Sequence, residues 1–111
     1  MKLSTSSKCL LIAASLLVSA LAFYAAPPAA SGSAIFKDNC AMCHGDDGKG
    51  IAAMKTPDFT SAKFQASTSG KTMREVIKNG KKGTGMMGFG DKLKEDEITA
   101  VMAYIRSLKK K

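Results

Sequence analysis

Two cysteines and a histidine constrain this chain most, because they occur together in the string Cys40-Ala41-Met42-Cys43-His44. His44 is also the only histidine in the sequence. A Cys-x-x-Cys-His string is the attachment signature of c-type haem. On one helical turn, the two thiols can add across the two vinyl groups of the haem while the next residue ligates its iron. The string therefore predicts one covalent haem c, attached through Cys40 and Cys43, with His44 as an axial iron ligand.

Three other uses of a Cys-x-x-Cys pair compete with haem attachment. An exported chain can form a structural disulfide, and thioredoxin-like proteins use the same spacing for redox chemistry. The thioredoxin context requires a strand before the motif, and no strand pattern precedes it here. A zinc site requires a second pair of ligands, and residues 34–111 contain no further Cys or His. Haem attachment is the interpretation that uses both cysteines and the histidine.

The N-terminal segment predicts export. Lys2 and Lys8 bracket a polar start, and an almost uninterrupted apolar run follows over residues 9–26. A positive start, an apolar centre and small residues afterwards are typical of a secretory signal peptide. The run is close to the length that spans a bilayer, so an uncleaved membrane anchor is the alternative. We therefore expect a periplasmic or otherwise exported protein, which contacts the membrane only if this segment is retained.

The remaining chain divides into a linker and one small domain. Prolines and small residues occupy positions 27–33, and the predicted domain covers residues 34–111, a length of 78 residues. Domains of this size bury a small fraction of their surface, so they often depend on disulfides, metals or cofactors. A haem would supply the missing apolar centre. The length also excludes a multidomain enzyme.

The sequence around the motif resembles the first helix of small bacterial class I cytochromes c. In that family a glycine and, four residues later, an aromatic residue precede the haem motif, and Gly32 and Phe36 match them. The resemblance extends to Leu108. It implies an all-α fold with about three to five helices wrapped around one haem, in which the first and last helices cross. Tyr104 resembles the family's aromatic residue on the last helix, which would pack near Phe36.

Apolar periodicity predicts a helix in the second half of the domain. Met73, Val76 and Ile77 have helical spacing. Thr72 is predicted as the N-cap of a capping box, and Gly80 as the C-terminal stop.

A second periodic segment predicts the last helix, from about Lys94 to Lys109. One face of this segment is apolar and consists of Ile98, Val101, Met102, Ile105 and Leu108. Acidic residues in the first turn and lysines at the end agree with the helix dipole. Lys94 stands where a Ser or Thr cap would be expected, so we predict a weakly capped start.

The second axial ligand is expected to be a methionine. No second histidine exists, and methionine is a soft neutral donor that raises the reduction potential of haem iron. Met86 and Met87 lie in a glycine-rich loop, which can present a side chain to iron where a helix would collide with the porphyrin. Met73 and Met102 lie on helical stripes and are expected in the core. Met42 lies between the two cysteines, and its side chain is expected to face away from the haem.

The resemblance adds two assignments. The family pattern in this loop is Met-Pro-x-Phe, and the run Met86 to Phe89 resembles it with methionine in place of proline. That match implies Met86 as the axial ligand, with Met87 as the alternative. The family also has a proline after the motif, whose carbonyl accepts a hydrogen bond from the second ring nitrogen of the ligating histidine. Pro57 matches that position, and such a bond fixes the ring.

Two further motifs are interpreted as loops. The run from Gly83 to Gly88 satisfies the dinucleotide pattern G-x-G-x-x-G, but that pattern has meaning only between a strand and a helix. Here a predicted helix precedes it. Asp46 and Asp47 could be read as part of a calcium-binding loop, but the glutamate that such a loop requires further along the chain is missing. We therefore interpret the segment as a solvated polar turn.

Together these features predict a one-electron carrier and not an enzyme. One alternative is a haem c subunit docked in a larger oxidoreductase complex. A haem peroxidase or gas-binding protein is less favoured, because it needs an open iron position and a distal acid or base, and no second histidine is available for that role.

The net charge is +8, and +6 remains after the two N-terminal lysines are set aside. Loop lysines expected around the haem edge are Lys49, Lys55, Lys81, Lys82 and Lys92. A basic rim would steer the protein to a redox partner with an acidic docking face. Nucleic-acid binding is not expected of an exported chain, and we expect a monomer.

Overall fold

Five α-helices and one short 3-10 turn form the part that the computed structural model describes, residues 30–110, and no strand occurs there. The helices are α1 (Gly32–Asn39), α2 (Ala41–His44), α3 (Ala62–Ser67), α4 (Gly70–Asn79) and α5 (Glu95–Ser107), and the 3-10 turn is Ala52–Met54. The predicted all-α class is confirmed. The predicted signal or anchor over residues 1–26 lies outside the described residues. Within residues 30–110, no helix has the length and apolarity to cross a bilayer.

Helix α1 begins two residues before the domain start predicted at residue 34. The Ser31 hydroxyl accepts a hydrogen bond from the Ala34 N–H at 3.2 Å, which makes Ser31 the N-cap and Gly32 the first helical residue. Serine is common both in loops and at helix starts. Ser31 therefore falls within the predicted linker, and its role as the N-cap of α1 was not predicted.

The crossing of α1 and α5 forms the centre of the fold. Phe36 is 1% exposed, and its ring centroid lies 5.3 Å from that of Tyr104, as the resemblance implied. Gly32 permits a close approach, because a Cβ there would lie 2.1 Å from the Ala100 carbonyl oxygen. The buried core consists of Ile35, Phe36, Ala41, Phe59, Met73, Ile77, Leu93, Ile98, Val101 and Ile105.

Replacing Gly32 with alanine is expected to lower the free energy of unfolding by about 2–3 kcal/mol, since overpacking typically costs ~1–3 kcal/mol. The added Cβ meets backbone of α5, which cannot rotate away. Chemical denaturation of the holoprotein measures the effect. Gly70→Ala is the matched control, because its Cβ would lie 3.9 Å from Met102 Cε, an ordinary contact. Equal stability of the two variants would contradict a close crossing at Gly32.

Helix α4 starts earlier than predicted. The N-cap is Ser69, whose hydroxyl accepts the Thr72 N–H at 3.0 Å, so the prediction of Thr72 as the cap is wrong. Ser69 precedes Thr72 by one turn and has the same hydroxyl group, so both residues can cap a helix. The helix begins at the earlier one, Ser69. Gly80 ends the helix as predicted, with φ of 77°. Met73 and Ile77 are buried, as their spacing predicted.

Helix α5 packs its predicted apolar face into the core. Ile98, Val101 and Ile105 are each at most 4% exposed. The start of the helix is weakly capped, because the Lys94 ammonium cannot accept a hydrogen bond. The Glu97 carboxylate compensates in part by accepting the Lys94 backbone N–H at 2.8 Å.

An ion-pair cluster joins α4 to α5 at the surface. The Glu95 carboxylate pairs with Arg74 at 3.1 Å and with Lys78. Hydrogen bonding from Lys78 lowers the pKa of Glu95. Exposed pairs of this kind contribute little to stability, so the apolar contacts are the main cause of this packing.

Helix α3 is a short element that the sequence did not predict. The Ser61 hydroxyl accepts the Phe64 N–H at 3.1 Å and starts the helix. Arg106 on α5 donates to the carbonyl oxygens of Gln65 (3.0 Å) and Thr68 at its other end. The helix therefore depends on a contact from a distant part of the chain.

Candidate functional site

The predicted haem motif forms one turn of backbone. Cys40 ends α1 and precedes α2, and its carbonyl oxygen accepts the N–H groups of Cys43 (3.2 Å) and His44 (2.9 Å). Both cysteines are free thiols, so the alternative of a disulfide between them is not formed. Met42 is 87% exposed, as expected for a side chain that faces away. One turn thus carries two thiols and an imidazole.

The Cys40 thiol is protonated at neutral pH. Burial raises its pKa to about 11, Cys43 adds to the increase, and the positive charge of Lys92 opposes it. Lys92 therefore lies close enough to Cys40 to influence its thiol electrostatically.

The His44 ring is held by packing. Its Nδ1 atom is buried and has no hydrogen-bond partner among residues 30–110, which is rare for a buried polar atom. The Phe59 ring stacks on it, with 4.6 Å between the centroids and 22° between the planes. Burial lowers the pKa of His44. Burial therefore favours the neutral imidazole, which is the form that ligates metals.

An apolar cavity of about 300 Å³ opens beside His44. Cofactor pockets typically enclose ~300–1,000 Å³ and have apolar walls with few polar groups. Cys43, His44 and Met86 all line the cavity. The apolar part of its wall includes Phe59, Phe64, Met73, Val76, Ile77 and Ile105.

The two loop methionines have different environments. Met86 is half-buried and lines the cavity, whereas Met87 is 69% exposed. Met54 also borders the cavity but is 51% exposed. Met73 is 5% exposed in the core on helix α4, as predicted. Met102 is partly buried against that core.

Hydrogen bonds close the loop that presents Met86. The Lys81 N–H donates to the Met86 carbonyl at 3.0 Å. The Thr84 hydroxyl donates to the Lys81 carbonyl at 2.7 Å and accepts the Met86 N–H at 3.2 Å. Gly80 allows the loop to fold back, because a Cβ there would lie 2.7 Å from the Met86 carbonyl oxygen. Met86 therefore projects from a closed loop.

Pro57 lies at the cavity but makes no bond to His44. Both residues line the cavity, yet Nδ1 of His44 is without a partner in the described residues. The Pro57 carbonyl instead packs against Gly50, where a Cβ would come within 2.8 Å. The hydrogen bond implied by the resemblance stays a prediction.

The surroundings of two other motifs agree with their interpretation as loops. The run from Gly83 to Gly88 follows helix α4, and no strand precedes it in the described chain. Asp47 accepts the Lys49 N–H at 3.0 Å in a polar turn. Residues 30–110 contain no group of three or more His, Cys, Asp or Glu side chains placed to hold a metal ion.

The residues present fit a covalent haem. Two free thiols lie on one turn beside an apolar cavity, together with an imidazole whose Nδ1 has no partner within residues 30–110. Phe59, Phe64 and Thr84 also belong to the site, although the sequence did not single them out. Phe59 follows Pro57 by two positions, so the proline match was the one signal that pointed near it.

Residues 29–109 match the protein-family model described as Cytochrome c. Subunit CcoP of the cbb3-type cytochrome c oxidase of Rhodobacter capsulatus is 34% identical over 86 residues, 72% of this chain and 29% of that protein. Subunit FixP of the same oxidase type from Bradyrhizobium sp. (strain ORS 278) is 35% identical, over 72% of this chain and 27% of that protein. The chain thus spans less than a third of these relatives.

Solved structures show the same fold. The KustC0563 c-type cytochrome has a TM-score of 0.67 and 31% identity, and the match covers 73% of this chain and 100% of that one. Cytochrome cL of Methylophaga aminisulfidivorans has a TM-score of 0.59 and 26% identity, over 70% of this chain and 51% of that one.

The helical fold, the Cys-x-x-Cys-His turn and the apolar cavity beside it define a small all-α haem protein. The chain belongs to the cytochrome c family. Residues 29–109 thus form an electron-transfer module that carries a covalent haem c.

Proposed function

We propose that this chain is an exported one-electron carrier in which Cys40 and Cys43 attach the haem and His44 and Met86 ligate its iron. The observation that carries the proposal is that Cys43, His44 and Met86 line one cavity, although helices α3 and α4 separate His44 from Met86 in the sequence. Haem iron supplies the chemistry by alternating between the ferric and ferrous states.

Two occupied axial positions distinguish a carrier from an enzyme. With the His44 nitrogen and the Met86 sulfur in place, no position remains for a substrate. The thioether of Met86 is neutral and soft, so it favours the reduced iron. Among residues 30–110, no Asp or Glu lines the cavity, so this part of the chain places no carboxylate there as a distal acid or base. The chain's own task is to bind the haem, exclude water and hold both ligands.

Lysine side chains lie around the proposed haem site, where a redox partner would approach. Lys55 and Lys81 are the charged residues among positions 30–110 that line the cavity, and Lys92 lies near Cys40. Lys49 is less suited to docking because it pairs with Asp47 at 3.6 Å. Lysines such as the other three, which form no ion pair within residues 30–110, increase the association rate with an acidic docking face, and salt reduces the effect.

Export is the part of the proposal that depends on the sequence alone. The positive start and apolar run over residues 1–26 are typical of a signal peptide or anchor. A free carrier would require cleavage of this segment, whereas an anchored one would retain it.

A spectroelectrochemical titration of the purified holoprotein tests the carrier role. We expect one reversible one-electron transition, low-spin spectra in both oxidation states and no carbon monoxide binding by the ferrous form, because both axial positions are occupied. Rapid carbon monoxide binding by a high-spin ferrous form would contradict the proposal and favour a gas-binding protein or peroxidase.

A docked subunit is the second candidate function. It is favoured by the oxidase subunits CcoP and FixP among the relatives. Native electrophoresis of detergent-solubilised membranes, with staining for haem, distinguishes the two. Migration of the full chain with a terminal oxidase would support the subunit, whereas recovery in the periplasmic fraction as a monomer would support the free carrier.

A further inference from the structure

The imidazole of His44 lies against an aromatic ring. A histidine that ligates a metal usually donates its second N–H to a carbonyl or carboxylate, which fixes the ring. Nδ1 of His44 lacks such a partner in the described part of the chain. The Phe59 ring instead lies nearly parallel to the imidazole, with 4.6 Å between centroids and 22° between planes. Rotation of the imidazole about its bond to Cβ would drive it into this ring.

Phe59 is itself fixed on several sides. It is 7% exposed, and its N–H donates to the Gly48 carbonyl at 2.8 Å. Its ring meets Phe36 edge-on at 6.2 Å and Phe64 at 4.9 Å. A ring held in this way cannot follow a rotation of the imidazole, so it provides a rigid wall.

Gln65 connects this wall to the last helix. Its side-chain amide donates to the Phe59 carbonyl at 2.7 Å and to the Ile105 carbonyl at 2.9 Å. Arg106 donates to the Gln65 side-chain oxygen at 3.1 Å. Through these hydrogen bonds, Gln65 links the backbone of Phe59 to the backbone of helix α5.

We propose that Phe59 is a positioning residue that fixes the plane of the His44 imidazole as an iron ligand. The proposal rests on the proposed function, which assigns His44 to the iron. The plane of an axial imidazole determines how its π orbitals overlap with the iron d orbitals. The orientation therefore affects the ferric spectrum and the reduction potential, which axial ligands tune.

Phe59→Leu in the ferric holoprotein tests the proposal. Leucine keeps an apolar side chain at this position but removes the flat face against which the imidazole lies. We expect shifted and broadened electron paramagnetic resonance g-values, an altered spread of haem methyl proton shifts and a shifted reduction potential. If Phe59→Leu does not fold, Gln65→Met removes both amide donors while keeping side-chain length, and we expect a smaller change in the same direction.

Tyr104→Leu is the matched control. The Tyr104 ring packs against Phe36 at 5.3 Å, as the Phe59 ring does at 6.2 Å, but Tyr104 does not line the cavity. We expect the control to lose stability while keeping the g-values and potential of the wild type. Unchanged spectra in Phe59→Leu, or equal changes in both variants, would overturn the positioning role. A wild-type protein without low-spin His/Met spectra would instead contradict the proposed function, so the two failures are distinguishable.

Discussion

Replacing both Cys40 and Cys43 with alanine is expected to abolish covalent haem attachment. Each thiol forms one thioether with one vinyl group, so the single variants should keep one bond and the double variant none. Extraction with acidified organic solvent measures this directly. The wild type and both single variants should keep their haem, whereas the double variant should lose all of it. Pyridine haemochrome spectra should show one restored vinyl group in each single variant.

The double variant should also lose most of its stability. A domain of this size buries too little apolar surface to be stable without additional support, and the haem would fill the cavity beside His44. Met42→Ala is the matched control, because Met42 lies between the two cysteines and is 87% exposed. Its haem attachment and stability should equal those of the wild type. A double variant that still binds haem covalently would contradict the assignment of the cysteines.

Met86→Ala is expected to remove the sixth iron ligand. The ferric methionine–haem charge-transfer band should disappear, and the ferrous form should bind carbon monoxide. The reduction potential should fall by at least ~0.1 V, a fraction of the ~0.8 V over which axial ligands set haem potentials. Loss of a soft neutral donor stabilises the ferric state relative to the ferrous state, which gives the direction of the change.

Met87→Ala is the control for this experiment. Met87 is adjacent in sequence and also a thioether, but it is 69% exposed, whereas Met86 lines the cavity. The band, the potential and the absence of carbon monoxide binding should all persist. If the band were lost in Met87→Ala and kept in Met86→Ala, the ligand assignment would be reversed.

Local patterns in the sequence predicted the parts of the structure that are governed by local contacts. The buried face of α5, formed by Ile98, Val101 and Ile105, follows from helical spacing. The end of α4 at Gly80 follows from the positive φ that glycine adopts easily. The start of α4 was misassigned to Thr72 because Ser69 offers the same cap chemistry one turn earlier.

Contacts between distant residues could not be predicted in this way. Helix α3 has only six residues and a weak pattern, and Arg106, about 40 positions away, binds its C-terminal end. Phe59 has no motif of its own in the sequence. Its place against His44 follows from the packing of Phe36, Phe64 and Gln65 around it.

The sequence by itself predicted the haem and one proposed iron ligand, because Cys40, Cys43 and His44 lie on one turn and their spacing alone brings them together. The tertiary structure alone decided which loop methionine lines the cavity, since the loop bonds of Lys81 and Thr84 separate the environments of Met86 and Met87. It also placed the Phe59 ring against His44, because stacking requires two rings to meet across a folded loop.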